Sequence, residues 1–256
     1  MIALSEQQLL HWLGTFLWPF FRVGAVLLAM PVLSGRAVPA RARIALAFFL
    51  TWVIVPSVSV PDIPLFGLSS LQVVIHQVLI GLSIGFILQI VFAILMFAAE
   101  SIAFSMGLGF ASMNDPNTGV QVPVVGQLML MTGTLMFFSA NGHLLFFELI
   151  ADSFQLFPVS MEGLGRSDFW QIVQWAQRIF STGLHIALPI TGALLMVNVV
   201  LAIMTRTAPQ MNIFSVGFSL MILWGLIVLW VIFPTLLEMF LETIDVGFIF
   251  IRQLLS

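Results

Sequence analysis

The sequence predicts an all-α integral membrane protein, with about six long hydrophobic helices separated by polar breaks. Of its 256 residues, 61% are hydrophobic and only 7% are charged. In soluble domains about 45–50% of the residues are apolar and about 25% are charged. The apolar residues form long blocks, and about 20 residues are enough to cross a bilayer core of roughly 30 Å. Because hydrocarbon satisfies no backbone amide, each block that crosses must be helical.

The composition also excludes several functional classes. The net charge is −3 and every basic residue is an arginine, so no basic surface for nucleic acid is expected. There is no cysteine, which excludes disulfides and thiolate metal sites. The sequence has no phosphate-binding glycine loop, no His-Glu-x-x-His pair and no Gly-x-Ser-x-Gly nucleophile. An enzymatic alternative would use His143, Glu148 and Asp152 as metal ligands or acid-base groups. This stretch has only one histidine, so it lacks the paired histidines of a metalloprotease helix. We therefore expect no enzymatic activity, no bound metal and no cofactor.

The first apolar block, 9–33, is long enough to span and contains Arg22. An arginine at this depth is costly, so it either snorkels towards a helix end or is paired inside a complex. No cleavable signal peptide is expected, because the residues before this block lack positive charge. Arg36, Arg41 and Arg43 then form a basic hinge, which the positive-inside rule places in the cytoplasm. The next block, 44–55, is short, so it predicts either a span or a half-buried helix.

The block 71–104 predicts the longest helix. Gly81 and Gly85 form a small-xxx-small pair, which predicts a close contact with a second helix. Glu100 lies near the end of the block 71–104. It is either solvated there or a functional carboxylate within the membrane. After it, residues 105–123 are rich in glycine, proline and asparagine, which favours irregular backbone that cannot lie against lipid.

The second half predicts three further apolar blocks, at 124–150, 179–204 and 213–237. A polar membrane-surface loop that leads into an amphipathic start is expected at 157–178. A kink is expected at Pro189, and an amphipathic interfacial helix after residue 237. We interpret residues 1–256 as one integral membrane domain.

An ordered set of short motifs runs through the chain, from about residue 6 to 250. Its most distinctive part is Arg206-Thr-Ala-Pro-Gln-Met-Asn-Ile-Phe-Ser-Val-Gly-Phe218. The other motifs are Phe21-Arg22-Val-Gly-Ala, Met30-Pro31, Val38-Pro-Ala-Arg-Ala-Arg43, Glu100-Ser, Met106-Gly-Leu-Gly-Phe-Ala, Asp115-Pro116, Asn141-Gly-His143 and Leu188-Pro189. This ordered set resembles the FliR family, the export-gate proteins of bacterial flagella with relatives in virulence-type type III secretion systems.

The resemblance implies a subunit of a hetero-oligomer in the bacterial inner membrane, at the flagellar basal body. In that family one FliR copy joins several FliP and FliQ copies around a central pore, with FlhB on the cytoplasmic side, and unfolded export substrates pass through it. The chain would resemble a FliP-like part fused to a FliQ-like part. It would also contact membrane lipid, with part of the assembly raised towards the periplasm.

The resemblance also implies a pore plug, a loop between two long helices that corresponds here to 107–122. Its glycines supply hinge freedom, and its methionine and phenylalanine can fill a narrow pore. The expected plug residues are Gly107, Leu108, Gly109, Phe110, Ala111, Ser112, Met113, Asn114, Asp115, Pro116, Gly119 and Val122.

Three charged residues are candidates for contacts with other subunits: Arg22, Glu100 and Arg206. Isolated charges in apolar surroundings need partners, which a complex can supply; the alternative for Glu100 and Arg206 is a solvated helix end. Two other functions remain open. A stand-alone secondary transporter or channel would need midplane charges and commonly has an internal repeat, and the same subunit could belong to a virulence injectisome.

Overall fold

The computed structural model describes residues 6–34, 38–60, 65, 67–108, 124–207 and 213–256, and these residues form helices and connecting turns with no strand. The predicted all-α class is therefore confirmed. The helices are α1 (Glu6–Ala29), α2 (Pro31–Ser34), α3 (Ala40–Ile54), α4 (Leu68–Ser105), α5 (Val124–Ser139), α6 (Gly142–Leu156), α7 (Arg166–Ala176), α8 (Arg178–Thr207) and α9 (Ile213–Leu255). A short 3₁₀ helix, Val55–Ser57, follows α3.

Within the described residues, five helical segments are long and apolar enough to cross a membrane. The count becomes six if α5 and α6, which are separated by a short break, form one span. The chain is thus a multi-pass membrane protein. Arg41 and Arg43 of the basic hinge lie in the first turn of a segment that passes this test, Ala40–Ser57, so the block 44–55 belongs to a helix of spanning length.

In three places the helix boundaries differ from the boundaries of the apolar and polar blocks. The block 124–150 is interrupted at Asn141, whose φ of 58° is left-handed and ends the regular helix before α6 begins. The polar stretch 157–178 contains α7, where the Asp168 carboxylate accepts a hydrogen bond from the Gly165 amide (2.7 Å) and so caps the first turn. The last apolar block and the tail after it form one helix of 43 residues, longer than α4 with 38.

The chain divides into two compact units, each built from separate stretches of sequence. Unit 1 comprises Met1–Ile90, Asn141–Ala176 and Ile244–Ser256, and unit 2 comprises Val91–Ala140 and Gln177–Thr243. The interpretation of residues 1–256 as one domain stays a prediction.

In unit 1, α4 packs directly on α1 through the two glycines that the sequence singled out. A Cβ atom added at Gly81 would lie 2.8 Å from the Ala25 Cβ, and one added at Gly85 would lie 2.5 Å from the Ala29 Cβ. Real side chains do not approach so closely, so only glycine permits this backbone separation. The predicted small-residue contact is confirmed.

In unit 2, aromatic rings form the centre of the core. Phe92 lies edge-on to Phe137 (5.9 Å between ring centroids) and to Phe240 (5.4 Å). Nearer the surface, Phe97 packs edge-on against the exposed Phe180, next to the backbone of Gly183. Such edge-to-face pairs add to the energy of apolar burial and fix the rotation of each helix.

Candidate functional site

The C-terminus of α4, where the predicted plug loop begins, has a defined geometry. The Leu108 amide donates to the Ala103 carbonyl (3.0 Å), and the Gly107 amide donates to the Phe104 carbonyl (3.0 Å). These two bonds form a Schellman motif, which needs a left-handed residue at its penultimate position. Gly107 supplies it, with φ at 81°. The helix therefore stops at a fixed residue, and the loop leaves from a fixed point.

Met106, the residue before this glycine, anchors the end of α4 within unit 2. Its side chain is fully buried and lies against Gly225 of α9, where an added Cβ would come within 2.5 Å of the Met106 Cγ. Because Gly225 has no side chain, α9 leaves a space at this residue, the Gly225 notch, and the Met106 side chain fills it. Gly225 was not predicted, because a lone glycine in an apolar helix does not indicate such a contact.

Of the predicted plug residues, only the first two lie in the described part of the chain. Gly107 forms the turn, and Leu108 donates the longer-range bond of the motif. The other ten lie outside the described residues: Gly109, Phe110, Ala111, Ser112, Met113, Asn114, Asp115, Pro116, Gly119 and Val122.

A second polar site surrounds Arg22 in the interior of unit 1, where its side chain has 0% exposure. Its Nε donates to Gln77 Oε1 (2.8 Å), and its Nη1 donates to the carbonyls of Ser153 (2.8 Å) and Phe157 (2.9 Å). The guanidinium carbon lies 4.3 Å from the centroid of the Phe154 ring. One cation thus connects α1, α4 and the C-terminal end of α6.

The acceptors around Arg22 are neutral, so this cation is held by hydrogen bonds and by an aromatic face. Hydrogen bonds to a charged group are about twice as strong as neutral ones, which offsets part of the cost of burial. Two neighbouring donors, Arg22 Nη2 and Gln77 Nε2, are buried without a hydrogen-bond acceptor in the structure. Snorkelling is therefore wrong for this residue, and a contact between Arg22 and another chain would require unit 1 to rearrange.

The other two predicted contact residues are more accessible. Glu100 is half-buried in α4, six residues before Met106, in unit 2. Arg206 is exposed in the last turn of α8, where a positive charge is favoured by the helix dipole. Both remain candidates for contacts with other chains.

His143 and Asp152, which the sequence offered as catalytic or ligand residues, make different structural contacts. Asp152 lies 3.4 Å from Arg252 in an exposed ion pair, and the His143 ring packs edge-on near Phe147. Among the described residues, no three His, Asp or Glu side chains are placed to hold a metal ion.

Comparison with known proteins assigns this chain to a family. The sequence profile described as "Bacterial export proteins, family 1" matches residues 13–246. The match covers most of the chain, including the end of α4 and the Arg22 site. The chain belongs to this family.

Individual relatives support the assignment. The chain is 36% identical to the flagellar biosynthetic protein FliR of Escherichia coli K12 over 234 residues, which are 91% of this chain and 90% of the relative. It is 31% identical to that of Bacillus subtilis 168 over 217 residues, 84% of each chain. It is 32% identical to that of Caulobacter vibrioides over 211 residues, 81% of this chain and 83% of the relative. These relatives are named as components of flagellar biosynthesis, and their names describe no enzymatic reaction.

Proposed function

We propose that this chain is a subunit of the flagellar type III export gate in the bacterial inner membrane. One copy assembles with FliP and FliQ around a pore for unfolded export substrates, and FlhB binds on the cytoplasmic side. The family match over residues 13–246 carries this proposal. The large exposed side chains of α8 and α9 agree with it, because contiguous apolar faces are commonly covered by lipid or by other chains.

Mass spectrometry of the complex extracted from its native membrane in mild detergent tests the assembly. We expect one copy of this chain with several copies of two other small membrane proteins. A lone monomer, or a self-oligomer that conducts solute, would instead support a stand-alone transporter.

The proposal assigns residues 107–122 as the plug that closes the pore at rest. The Schellman motif at Gly107 supports this, because a loop that fills a narrow pore must leave its helix at a fixed position and direction. Met106, held in the Gly225 notch, sets that position within unit 2. Movement of the loop then needs no change in α4 itself, since the helix already ends before it.

Deletion of residues 110–119 tests the plug in the assembled complex. We expect a higher resting ion conductance across a membrane, with assembly on a native gel unchanged. Replacing the same ten residues by glycine and serine is the matched control, because it keeps the length of the connection and removes only the side chains that would fill the pore. An unchanged conductance after deletion would sink the plug assignment.

The proposal further assigns Glu100 and Arg206 to contacts with neighbouring subunits. Glu100→Arg and Arg206→Glu should each reduce complex assembly on a native gel, because each places a like charge against the partner's group. Glu162→Arg and Arg166→Glu are matched controls, since both side chains are exposed and belong to the polar stretch 157–178. Assembly that survives the first two exchanges would place Glu100 and Arg206 in solvated helix ends.

A further inference from the structure

A cavity with aromatic walls lies between α1 and the C-terminal end of α3 in unit 1. Its volume is about 510 Å³, within the range of about 300–1,000 Å³ that is typical of ligand pockets. Large aromatic side chains line it, namely Trp12, Phe16 and Trp52, and the imidazole of His11 adds a further ring. Among the residues that the structure describes, no carboxylate lines the cavity, so a small hydrated metal ion would find no ionised ligand there.

The Trp52 ring is held by its neighbours but remains open to the cavity. It packs edge-on against Phe16, with 6.3 Å between the ring centroids, and it lies 6.2 Å from the centroid of Phe48. Trp52 is nevertheless 65% exposed, and Trp12 on α1 is 60% exposed. Because the face of an aromatic ring carries the negative part of its quadrupole, open faces of this kind attract cations.

The backbone at the end of α3 adds partial negative charge beside these rings. The residue four positions after Trp52 is Pro56, which has no amide hydrogen. The Trp52 carbonyl therefore lacks its α-helical donor, whereas the Thr51 carbonyl before it accepts from the Val55 amide. Trp52 and Pro56 both line the cavity. Since the C-terminus of a helix also carries the negative end of the helix dipole, a cation is favoured at this end of α3.

We propose that this cavity binds the ammonium group of a zwitterionic phospholipid. The ammonium lies against the faces of Trp12 and Trp52, and it donates to the Trp52 carbonyl. Tryptophan is favoured at the membrane–water interface, which is also where phospholipid headgroups lie. The exposed Phe49 and Val53 of α3 give the acyl chains an apolar surface next to the headgroup. The proposal requires only that the chain crosses a membrane, so it is independent of the export-gate assignment.

A small photoreactive diazirine side chain at position 55, which lines the cavity, reports its occupant. The complex is purified in mild detergent at about pH 8, where imidazole groups are uncharged. It is equilibrated with an equimolar mixture of dioleoyl phosphatidylethanolamine and dioleoyl phosphatidylglycerol, which share the phosphate and the acyl chains. Mass spectrometry after irradiation counts the lipid adducts at position 55. We expect the phosphatidylethanolamine adduct to exceed the phosphatidylglycerol adduct by at least about fivefold, because only the former carries an ammonium group.

Substitutions of an exposed tryptophan test the aromatic wall. Trp12→Leu should reduce the preference for phosphatidylethanolamine about threefold, because it removes one aromatic face and keeps an apolar side chain. Trp12→Phe should retain most of the preference. Trp170→Leu is the matched control and should leave the preference unchanged, because Trp170 of α7 is also 60% exposed and lies outside the cavity lining.

Competition by a soluble cation tests the site with all of its aromatic rings present. Tetramethylammonium chloride should lower the yield of the phosphatidylethanolamine adduct more than sodium chloride does at the same concentration, because cation–π attraction favours the weakly hydrated organic cation. This comparison decides even if the Trp12 variants fail to assemble.

Three outcomes would overturn the proposal. The first is an equal yield of the two lipid adducts in the chain with all of its tryptophans. The second is an equal effect of Trp12→Leu and Trp170→Leu, or of the two salts. The third is a cross-link in native membranes from position 55 to a protein, which would show that another chain occupies the cavity.

Discussion

The bond between Arg22 and Gln77 allows a quantitative test of what holds unit 1 together. Both side chains have 0% exposure, and Arg22 Nε lies 2.8 Å from Gln77 Oε1. A hydrogen bond between a charged and a neutral group contributes about 1.5–3 kcal/mol. Single substitutions mix this energy with packing and with the cost of burying a charge, so a double-mutant cycle is needed.

The cycle uses Arg22→Met and Gln77→Leu, which keep the volume of each side chain approximately. We expect a coupling energy of about 1.5–3 kcal/mol, because Gln77→Leu removes an acceptor from a buried cation only while Arg22 is present. Arg22→Met paired with Gln72→Leu is the control, since Gln72 lies on the same helix but donates from an exposed position to Met161. That pair should couple by less than about 0.5 kcal/mol.

Free energies of unfolding for the unaltered chain and for each single and double variant come from detergent denaturation followed by tryptophan fluorescence. A coupling energy for Arg22 and Gln77 no larger than that of the control would refute the reasoning. It would mean that Arg22 is held by the carbonyls of Ser153 and Phe157 and that Gln77 contributes only packing.

Other contacts give simpler expectations. Gly85→Val should lower the free energy of unfolding by about 1–3 kcal/mol, because its Cβ would clash with Ala29, whereas Gly192→Val, with open space around it, should change it by less than about 0.5 kcal/mol. Gly107→Ala should cost about 1–2 kcal/mol, because its φ of 81° is unfavourable for alanine, and the Leu108 amide should exchange its hydrogen faster. Phe137→Ala should cost about 3–5 kcal/mol in the same unfolding assay, because the ring is fully buried.

Local features of the sequence predicted much of the helical structure. A run of apolar residues is enough to define a membrane helix, since hydrocarbon leaves the backbone no alternative. Gly81 and Gly85 were found by spacing alone, because residues four apart lie on the same helix face. The break after Ser105 followed from glycine and turn residues.

The helix that ends the chain shows why other boundaries were missed. The charges of Glu238, Glu242 and Asp245 suggested a separate interfacial helix, but their spacing places all three on one exposed face. The opposite face continues the buried series, with Phe240, Ile244, Phe248 and Ile251. A charge pattern compatible with one uninterrupted helix therefore carried no signal for a break.

The hydrogen-bond partners of Arg22 could not be predicted from the local sequence. Gln77 is 55 residues away in sequence, and the two carbonyl acceptors are 131 and 135 residues away. Backbone carbonyls have no residue-type signature, so only the fold reveals them. Gln77, a polar residue within an apolar block, was the one available signal, and it does not name its partner.

The three charged residues predicted to contact other subunits, Arg22, Glu100 and Arg206, differ in whether their own chain already binds them. Arg22 already engages acceptors of its own chain, so a further partner would have to replace bonds that exist. Among the described residues, neither Glu100 nor Arg206 has a side-chain hydrogen bond or an ion pair. Arg206 lies in the last turn of α8, a helix on which many large apolar side chains are exposed. A charge next to a large uncovered apolar face is a natural point for another chain to bind, because the apolar contact supplies the affinity and the charge fixes the register. Tests of assembly should therefore begin at Glu100 and Arg206, and tests of folding at Arg22.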